Sequence, residues 1–479
     1  MKLKNKIVTV GASIIILMFV FAKSTLAQTD HQNKKPNIIF FLIDDLGWVD
    51  LSCQGSEVYE TPNIDKLADE SVSFTNAYAS HPRCVPSRYG ILTGNYPAKG
   101  GVPERKDHLD NSEKTFAQFL QKAGYTSCYI GKWHLGSEET GPVGKGFSKS
   151  IAAGKAGSPR NYFAPYNATN GKPWKEKKAP IVGLDNAPKG EYLNDRLTTE
   201  AINFIEQNHD KPFFLMMAHY AVHEPLQAPK ELVDEYQKKI DTTKFPQGPD
   251  YIKEGTGRTK MKQDNAIYAA MIANMDENIG RILDYLEKNN LADNTIIIFT
   301  SDHGGLSNDG YHQRFLATSN LPLRAGKGWL YEGGIRVPLF VKWPGVSKPS
   351  VDEQTIVTGI DFFPTIAQIV TGKSIESDGI SIVPAVEGKE IKNRGPVFWY
   401  SPKARPKSTG DSNSIAVRDG DYKLIQWYET GRVELYNLKE DIGEHNDLSK
   451  ELPKKTKALL KELNQWKKEN SLTMNNNKQ

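Results

Sequence analysis

Cysteine is scarce in this chain: three residues in 479, at Cys53, Cys84 and Cys128. Too few thiols are present for a disulfide scaffold, so the fold must be held by its core. If Cys84 is set aside, Cys53 and Cys128 are left either to pair or to stay free. Beyond residue 22 no apolar run is long enough to span a bilayer, and no internal repeat stands out. Net charge is also missing once the N-terminus is considered. Residues 1–27 carry four lysines and no acid, so removing them leaves 57 basic against 57 acidic residues. A neutral chain has no global field for a polyanion. Nucleic-acid binding is therefore unsupported, and attraction for anions must be local to a cleft.

What is present begins with that N-terminal segment. A basic stretch (residues 1–6), an apolar stretch (7–22) and small residues at Thr25-Leu26-Ala27 have the form of a secretory signal peptide. The expectation is an exported protein, periplasmic or secreted, with a leader over 1–27 and no membrane span. With 38% hydrophobic residues the remainder has ample material for a core.

Apolar runs at 37–43, 125–130, 212–217, 295–300 and 337–341 read as strands buried on both faces. Helical patterns separate them: a capped start at Thr61, then 113–123, 195–207 and 266–289. Alternating strands and helices predict an α/β fold, a mixed, largely parallel sheet sandwiched by helices, over 28–375. From 376 the character changes. Strand-like pieces at 393–400, 414–418, 422–428 and 433–437, then a Lys- and Leu-rich helix at 453–469, predict a smaller C-terminal antiparallel subdomain and a polar tail. Residues 145–190 and 236–262 read as long polar loops.

The most informative run is His81-Pro82-Arg83-Cys84-Val85-Pro86-Ser87-Arg88. Pro86 suits a first helical turn, 87–93 continue it, and Gly94 ends it. Cys84 is then at a helix N-terminus, where free N–H groups and the macrodipole favour negative charge, with Arg88 four residues on and on the same face. The plainer alternative is a buried structural cysteine.

Other polar groups gather just past strand ends, where open α/β sheets bind ligands. Asp44 and Asp45 follow the first strand, and Ser301-Asp302-His303 follows the fourth. Carboxylates from two loops are natural ligands for a hard divalent cation, and His303 is a further ligand or a hydrogen-bonding group for a substrate. Gly131-Lys132-Trp133-His134-Leu135-Gly136 follows the second strand. His223, before Glu224-Pro225, is a candidate general acid, and His219 is a packing or supporting residue. Lys327 sits between two glycines, which allow close approach to an anion.

Cys84, Pro86, Ser87 and Arg88 match the Cys-x-Pro-Ser-Arg signature of the type I sulfatases, and Gly131–Gly136 matches a second one. With motifs at five separated places between residues 37 and 364, the chain resembles the formylglycine-dependent sulfatases of the alkaline phosphatase superfamily, among them exported polysaccharide sulfatases of bacteria. The resemblance implies that Cys84 is oxidised to formylglycine by a formylglycine-generating or anaerobic sulfatase-maturating enzyme. In that family one hydroxyl of the hydrated aldehyde attacks sulfur, and the other later expels sulfate by re-forming the carbonyl. It further implies one calcium ion held by Asp44, Asp45, Asp302, His303 and residue 84. His303 is the least typical ligand, since many relatives have Asn there. Arg88, Lys132 and Lys327 would hold the sulfate oxygens, His134 would lie by the nucleophile, and His223 would protonate the leaving alcohol.

The expected substrate is a sulfated polysaccharide or its oligosaccharides, of ulvan, carrageenan or glycosaminoglycan type. Tyr162, Tyr166, Trp174, Lys175–Lys178, His312, Arg314 and the 403–412 loop are the candidates for sugar recognition. Two other functions compete. One is a formylglycine-dependent phosphoester or phosphonate-ester hydrolase of the same superfamily. The other is a glycan-binding protein on a dead scaffold, against which all the catalytic candidates are present.

Overall fold

The computed structural model describes residues 35–101, 109–167, 180–312, 314–392 and 394–472. The expected leader, Trp174 and Lys175–Lys178 lie outside these residues.

Eight strands form the large sheet: β1 (Asn37–Ile43), β2 (Val72–Phe74), β4 (Thr126–Gly131), β5 (Lys149–Ile151), β6 (Phe213–Ala218), β9 (Thr295–Ser301), β11 (Leu339–Lys342) and β12 (Ser350–Asp352). Their order is β12-β2-β11-β9-β1-β6-β4-β5. β9, β1, β6, β4 and β5 run parallel, whereas β11 is antiparallel to both of its neighbours. β3 (Ala77–Tyr78) pairs with β13 (Val357–Thr358). β7 (Tyr251–Glu254), β8 (Gly257–Lys260) and β10 (Asn308–Asp309) make a three-stranded sheet.

β1 shows why the sheet needs helices on both sides. All seven of its residues are buried. Ile39, Phe41 and Ile43 join one core cluster and Ile38, Phe40 and Leu42 the other, because successive side chains leave a strand on opposite faces. The first cluster is closed by α1 (Pro62–Asp69), α4 (Leu193–Asn208), α5 (Lys230–Thr242) and α6 (Ala266–Lys288). The second is closed by α2 (Cys84–Thr93), α3 (Ala117–Lys122), α8 (Phe362–Thr371) and α9 (Val383–Val386). The result is the α/β sandwich read from the sequence.

The last sheet is antiparallel, β14 (Val397–Ser401), β15 (Ser414–Asp419), β16 (Tyr422–Trp427) and β17 (Val433–Asn437) in sequential order. One face packs Trp399, Ala416, Ile425 and Tyr436 against Trp329, Tyr331 and Ile335, the last in α7 (Glu332–Ile335). The other face meets Leu459, Leu463 and Trp466 of α10 (Pro453–Glu469). Trp466 stacks on Phe398 at 4.8 Å.

Three local readings are corrected, and one left open is settled. Residues 236–262 are not a loop, for they hold the end of α5 and the β7–β8 hairpin. The 113–123 helix is shortened to Ala117–Lys122, with Thr115 bonded instead to the Lys145 carbonyl. Thr61 stands at the N-cap position of α1, yet its hydroxyl donates to Asp65. The first-turn N–H groups of Asn63 and Ile64 donate to Asp276 of α6, so a neighbouring helix supplies the cap. Cys53 and Cys128 are both free, one exposed and one buried in β4.

Candidate active site

Because the central strands are parallel, their C-terminal ends share one edge, and the polar loops converge there. Asp44 and Asp45 leave β1, Lys132 leaves β4, Asp302 and His303 leave β9, and Cys84 is the first residue of α2. That helix runs to Thr93 and stops at Gly94 in the left-handed region, as the sequence predicted.

Cys84 is 7% exposed. Its Sγ lies 3.2 Å from His303 Nε2, 3.6 Å from Asp44 Oδ1 and 4.0 Å from Asp45 Oδ1. Cations ring this point. Lys132 Nζ is 2.5 Å from Asp44 Oδ2, and Lys327 Nζ is 2.6 and 2.7 Å from the two Asp45 oxygens. Arg88 donates from Nε to Asp302 Oδ2 at 2.9 Å and from Nη1 to the Lys132 carbonyl at 2.6 Å. All three cations thus hold carboxylates, and Arg88 links the β9 and β4 loops.

The electrostatics follow from crowding. Burial pushes the Asp44 carboxyl well above its usual range, against Lys132 and with help from Asp302, Cys84 and Asp45. Burial acts on Asp45 too, yet Lys327, His223 and His303 hold it down at about 2. The Cys84 thiol, also opposed by burial, is drawn well below its usual range by Lys132, Lys327 and His303. A low thiol pKa is what a positive pocket does to an anion-forming group.

Ligand atoms of Asp44, Cys84, Asp302 and His303 lie within 4.8 Å of one another, all buried, and Asp45, Cys84 and the part-buried His223 form a second group of the same spacing. Three repelling carboxylates fit a hard divalent cation, which would relieve the strain registered at Asp44. Imidazole is the less usual donor of the set.

His223 Nε2 is 3.8 Å from Asp45 Oδ2, and its Nδ1 contacts the Glu224 carbonyl at 2.8 Å. A carbonyl partner requires Nδ1 to carry hydrogen, which leaves Nε2 as the proton-exchanging atom. Burial and then Lys327 lower its pKa to about 3, opposed by Asp45. The charge of an anion arriving beside it would raise it again. His134 sits at φ 61°, and burial also lowers its pKa. Gly157 lets the chain cross its ring, since a Cβ there would fall 2.4 Å from Cε1. His219 is fully buried with both ring nitrogens unpartnered and belongs to the packing.

Two expected sugar contacts are corrected. Tyr162 is fully buried, and its hydroxyl donates to the Tyr220 and His223 carbonyls. Tyr166 is buried with its hydroxyl on Glu191. Packing claimed the rings that sequence assigned to solvent, so Tyr162 supports the His223 loop from behind. Arg314 reaches Glu224 at 3.3 Å, next to His223, while His312 is exposed and donates its backbone N–H to the Lys407 carbonyl. Sequence reasoning gave no role to Arg83, which is buried beside the thiol and paired with Asp411 at 2.5 Å.

The comparisons with known proteins agree with this geometry. Residues 36–372 match the sulfatase family model, and residues 325–470 match the C-terminal model of N-sulphoglucosamine sulphohydrolase. A sulfatase of Formosa agariphila is 31% identical over 95% of this chain and 90% of its own length. The N-acetylglucosamine-6-O-sulfatase of Bacteroides thetaiotaomicron is 29% identical, over 92% and 87% respectively. The crystal structure of Ps i-CgsB in complex with k-i-k-neocarrahexaose superposes with a TM-score of 0.72 at 29% identity, covering 90% of this chain and 93% of that one. With the matched region spanning the whole convergence of Asp44, Cys84, Lys132, Asp302 and Lys327, the chain belongs to the sulfatase family and is a sulfuric ester hydrolase.

Proposed function

We propose that this protein removes sulfate from a sulfated polysaccharide or its oligosaccharides, with residue 84 as nucleophile after its conversion from cysteine to formylglycine. The observation that carries the reading is Cys84 Sγ at a helix start, 3.2–4.0 Å from His303, Asp44 and Asp45, inside a ring of three cationic side chains. Support for a carbohydrate substrate comes from the relatives, one named for N-acetylglucosamine and one solved with a neocarrahexaose.

Formylglycine supplies a hydrated aldehyde, an oxygen nucleophile whose carbon carries a second hydroxyl. Asp44, Asp45, Asp302 and His303, with residue 84, would hold a calcium ion, which supplies positive charge beside the sulfate. The remaining work falls to the chain's own groups. Lys132 and Lys327 face the anion and offset the charge that builds on its oxygens, and preorganised cations in a dry cleft do this well. Arg88 keeps Asp302 and the Lys132 loop in register. His134 lies beside the nucleophile. His223, with Nδ1 fixed on a carbonyl, delivers its proton from Nε2 to the departing alcohol oxygen. Maturation by a formylglycine-generating or anaerobic sulfatase-maturating enzyme, and export through the leader at 1–27, complete the proposal.

The test is free sulfate released by the matured protein from a panel of defined sulfated oligosaccharides, run beside aryl sulfate and aryl phosphate esters. Sulfate release, lost on chelation and restored by calcium, is the expected result. Preference for the phosphate ester favours the phosphoester or phosphonate-ester alternative, and no turnover of any ester refutes the reading.

A further inference from the structure

Beside the general acid stands a charged pair with no role in sulfate transfer. Arg314 Nη1 donates to Glu224 Oε2 at 3.3 Å, and Glu224 directly follows His223 and accepts from its Nδ1 on the backbone carbonyl at 2.8 Å. The guanidinium is thus bonded to the residue that orients the acid. Its backbone is fixed from the other side. The Arg314 N–H donates to Asp309 Oδ2 at 3.3 Å, and Arg258 Nε donates to the same oxygen at 3.2 Å. Asp309 belongs to β10 and is buried. The Gly310 and His312 N–H groups donate to the Ser408 and Lys407 carbonyls, each at 3.2 Å.

Tyr162 fills the space behind the His223 loop, with its hydroxyl on the Tyr220 and His223 carbonyls. The front stays open: the side chains of His223, Arg314 and Glu224 are 18%, 27% and 37% exposed. An alcohol that takes its proton from His223 Nε2 lies before that imidazole, so the sugar it belongs to meets the side chains next to it. A separate observation points to a sugar. Among the described residues, Tyr311 and Phe315 are the only exposed aromatic side chains, and they stand on either side of Arg314 in the chain. Exposed rings around a few polar groups at a cleft mark a ligand surface.

The charges of Glu224 and Arg314 cancel, so the pair calls for no further anion. A carboxylate accepts and a guanidinium donates, whereas a sugar hydroxyl does both. Neighbouring hydroxyls can therefore bridge the two through charge-assisted bonds. Resting on the sulfatase reading above, we propose that Glu224 and Arg314 form the subsite for the leaving sugar and hold hydroxyls of the ring whose oxygen His223 protonates. They are specificity-determining residues, which choose the sugar sulfate that is cleaved.

The test reads binding in the Cys84→Ala protein, where proton transfer to the leaving oxygen plays no part. Titration calorimetry measures affinity for N-acetylglucosamine 6-sulfate, N-acetylgalactosamine 6-sulfate, k-i-k-neocarrahexaose and 4-nitrophenyl sulfate. Glu224→Ala and Arg314→Ala are each expected to weaken the best-bound sugar sulfate about tenfold, while 4-nitrophenyl sulfate, which has no hydroxyl to hold, shifts less than about twofold. Glu224→Gln and Arg314→Lys are expected to recover part of the loss, because an acceptor and a donor return. Both alanine variants should fold, since a part-exposed ion pair adds little to stability. Binding of no sugar probe, unchanged affinity for the best one, or an equal loss on the aryl ester overturns the subsite. A role confined to holding the His223 loop would leave binding unchanged and lower kcat alone, which also counts against it. Sulfate release by the matured wild-type protein is read separately. Its absence from every ester overturns the sulfatase reading instead, so the two failures are distinguishable.

Discussion

The stretch from Lys327 to Arg336 feeds two clusters of buried charge that differ in how they are closed. Glu332 and Arg336 enter a closed network between the two sheets. Lys423 Nζ lies 2.7 Å from both Glu332 Oε1 and Glu444 Oε1, Arg336 Nε is 2.7 Å from Glu332 Oε2, and the Tyr78 hydroxyl donates to Glu332 Oε2 at 2.8 Å. Lys423, Glu332 and Glu444 are fully buried. Against burial, Lys423, Arg336 and Arg418 hold Glu332 down at about 2. Lys327, a few residues earlier, enters the pocket. There the side chains of Lys327 and His223 remain 13% and 18% exposed, while burial raises Asp44 just as it raises Glu444, to about 7, in the closed network. Similar ion pairs therefore do different work. Closed on all sides they fix how two sheets meet. Left open to the cleft, they make a place for an added cation and an arriving anion.

Breaking each cluster in turn sharpens this contrast. The largest effect belongs to Cys84→Ala, expected to lower sulfate release by about a thousandfold or more while far-ultraviolet circular dichroism stays unchanged. Cys84→Ser is expected to be equally inactive when the maturation enzyme accepts only cysteine. His223→Ala comes next, with a loss of about a hundredfold on a sugar sulfate. Because an aryl leaving group needs little protonation, the loss on an aryl sulfate should be clearly smaller, and steady-state rates on both esters check this. Lys423→Met acts the other way. It leaves Glu332 and Glu444 buried without their shared cation, so urea denaturation should show a loss of about 3–5 kcal/mol, with kcat/KM of the folded protein within about twofold of wild type. The smallest effect is Cys53→Ser, at an exposed free thiol. Denaturation should place it within about 0.5 kcal/mol of wild type, with activity unaltered.

Much of this organisation was legible in the sequence where one physical cause dominated. β1, β6 and β9 are buried on both faces, so their unbroken apolar runs marked them within a residue or so. α2 announced itself through Pro86 and Gly94, and the catalytic candidates through loops following those strands. Legibility failed where a pattern was weak or a partner remote. α5 buries a single residue, Tyr236, and the β7–β8 strands bury only the polar Thr259 and Lys260, so neither wrote an apolar period into 236–262. Tyr162 was read as a sugar platform because a tyrosine looks the same whether its ring packs inside or faces solvent. Arg83 and Asp411 are 328 residues apart, and only folding brings them together.

Residue 84 carries the central claim, and its chemical state in active protein tests that claim most directly. Protein produced with its maturation enzyme, proven active by sulfate release, would be digested and the peptide spanning Cys84-Val85-Pro86-Ser87-Arg88 weighed and treated with a hydrazide. The account predicts an aldehyde at residue 84, its yield rising in step with specific activity. Full activity from a preparation whose residue 84 is wholly an unmodified thiol would contradict it.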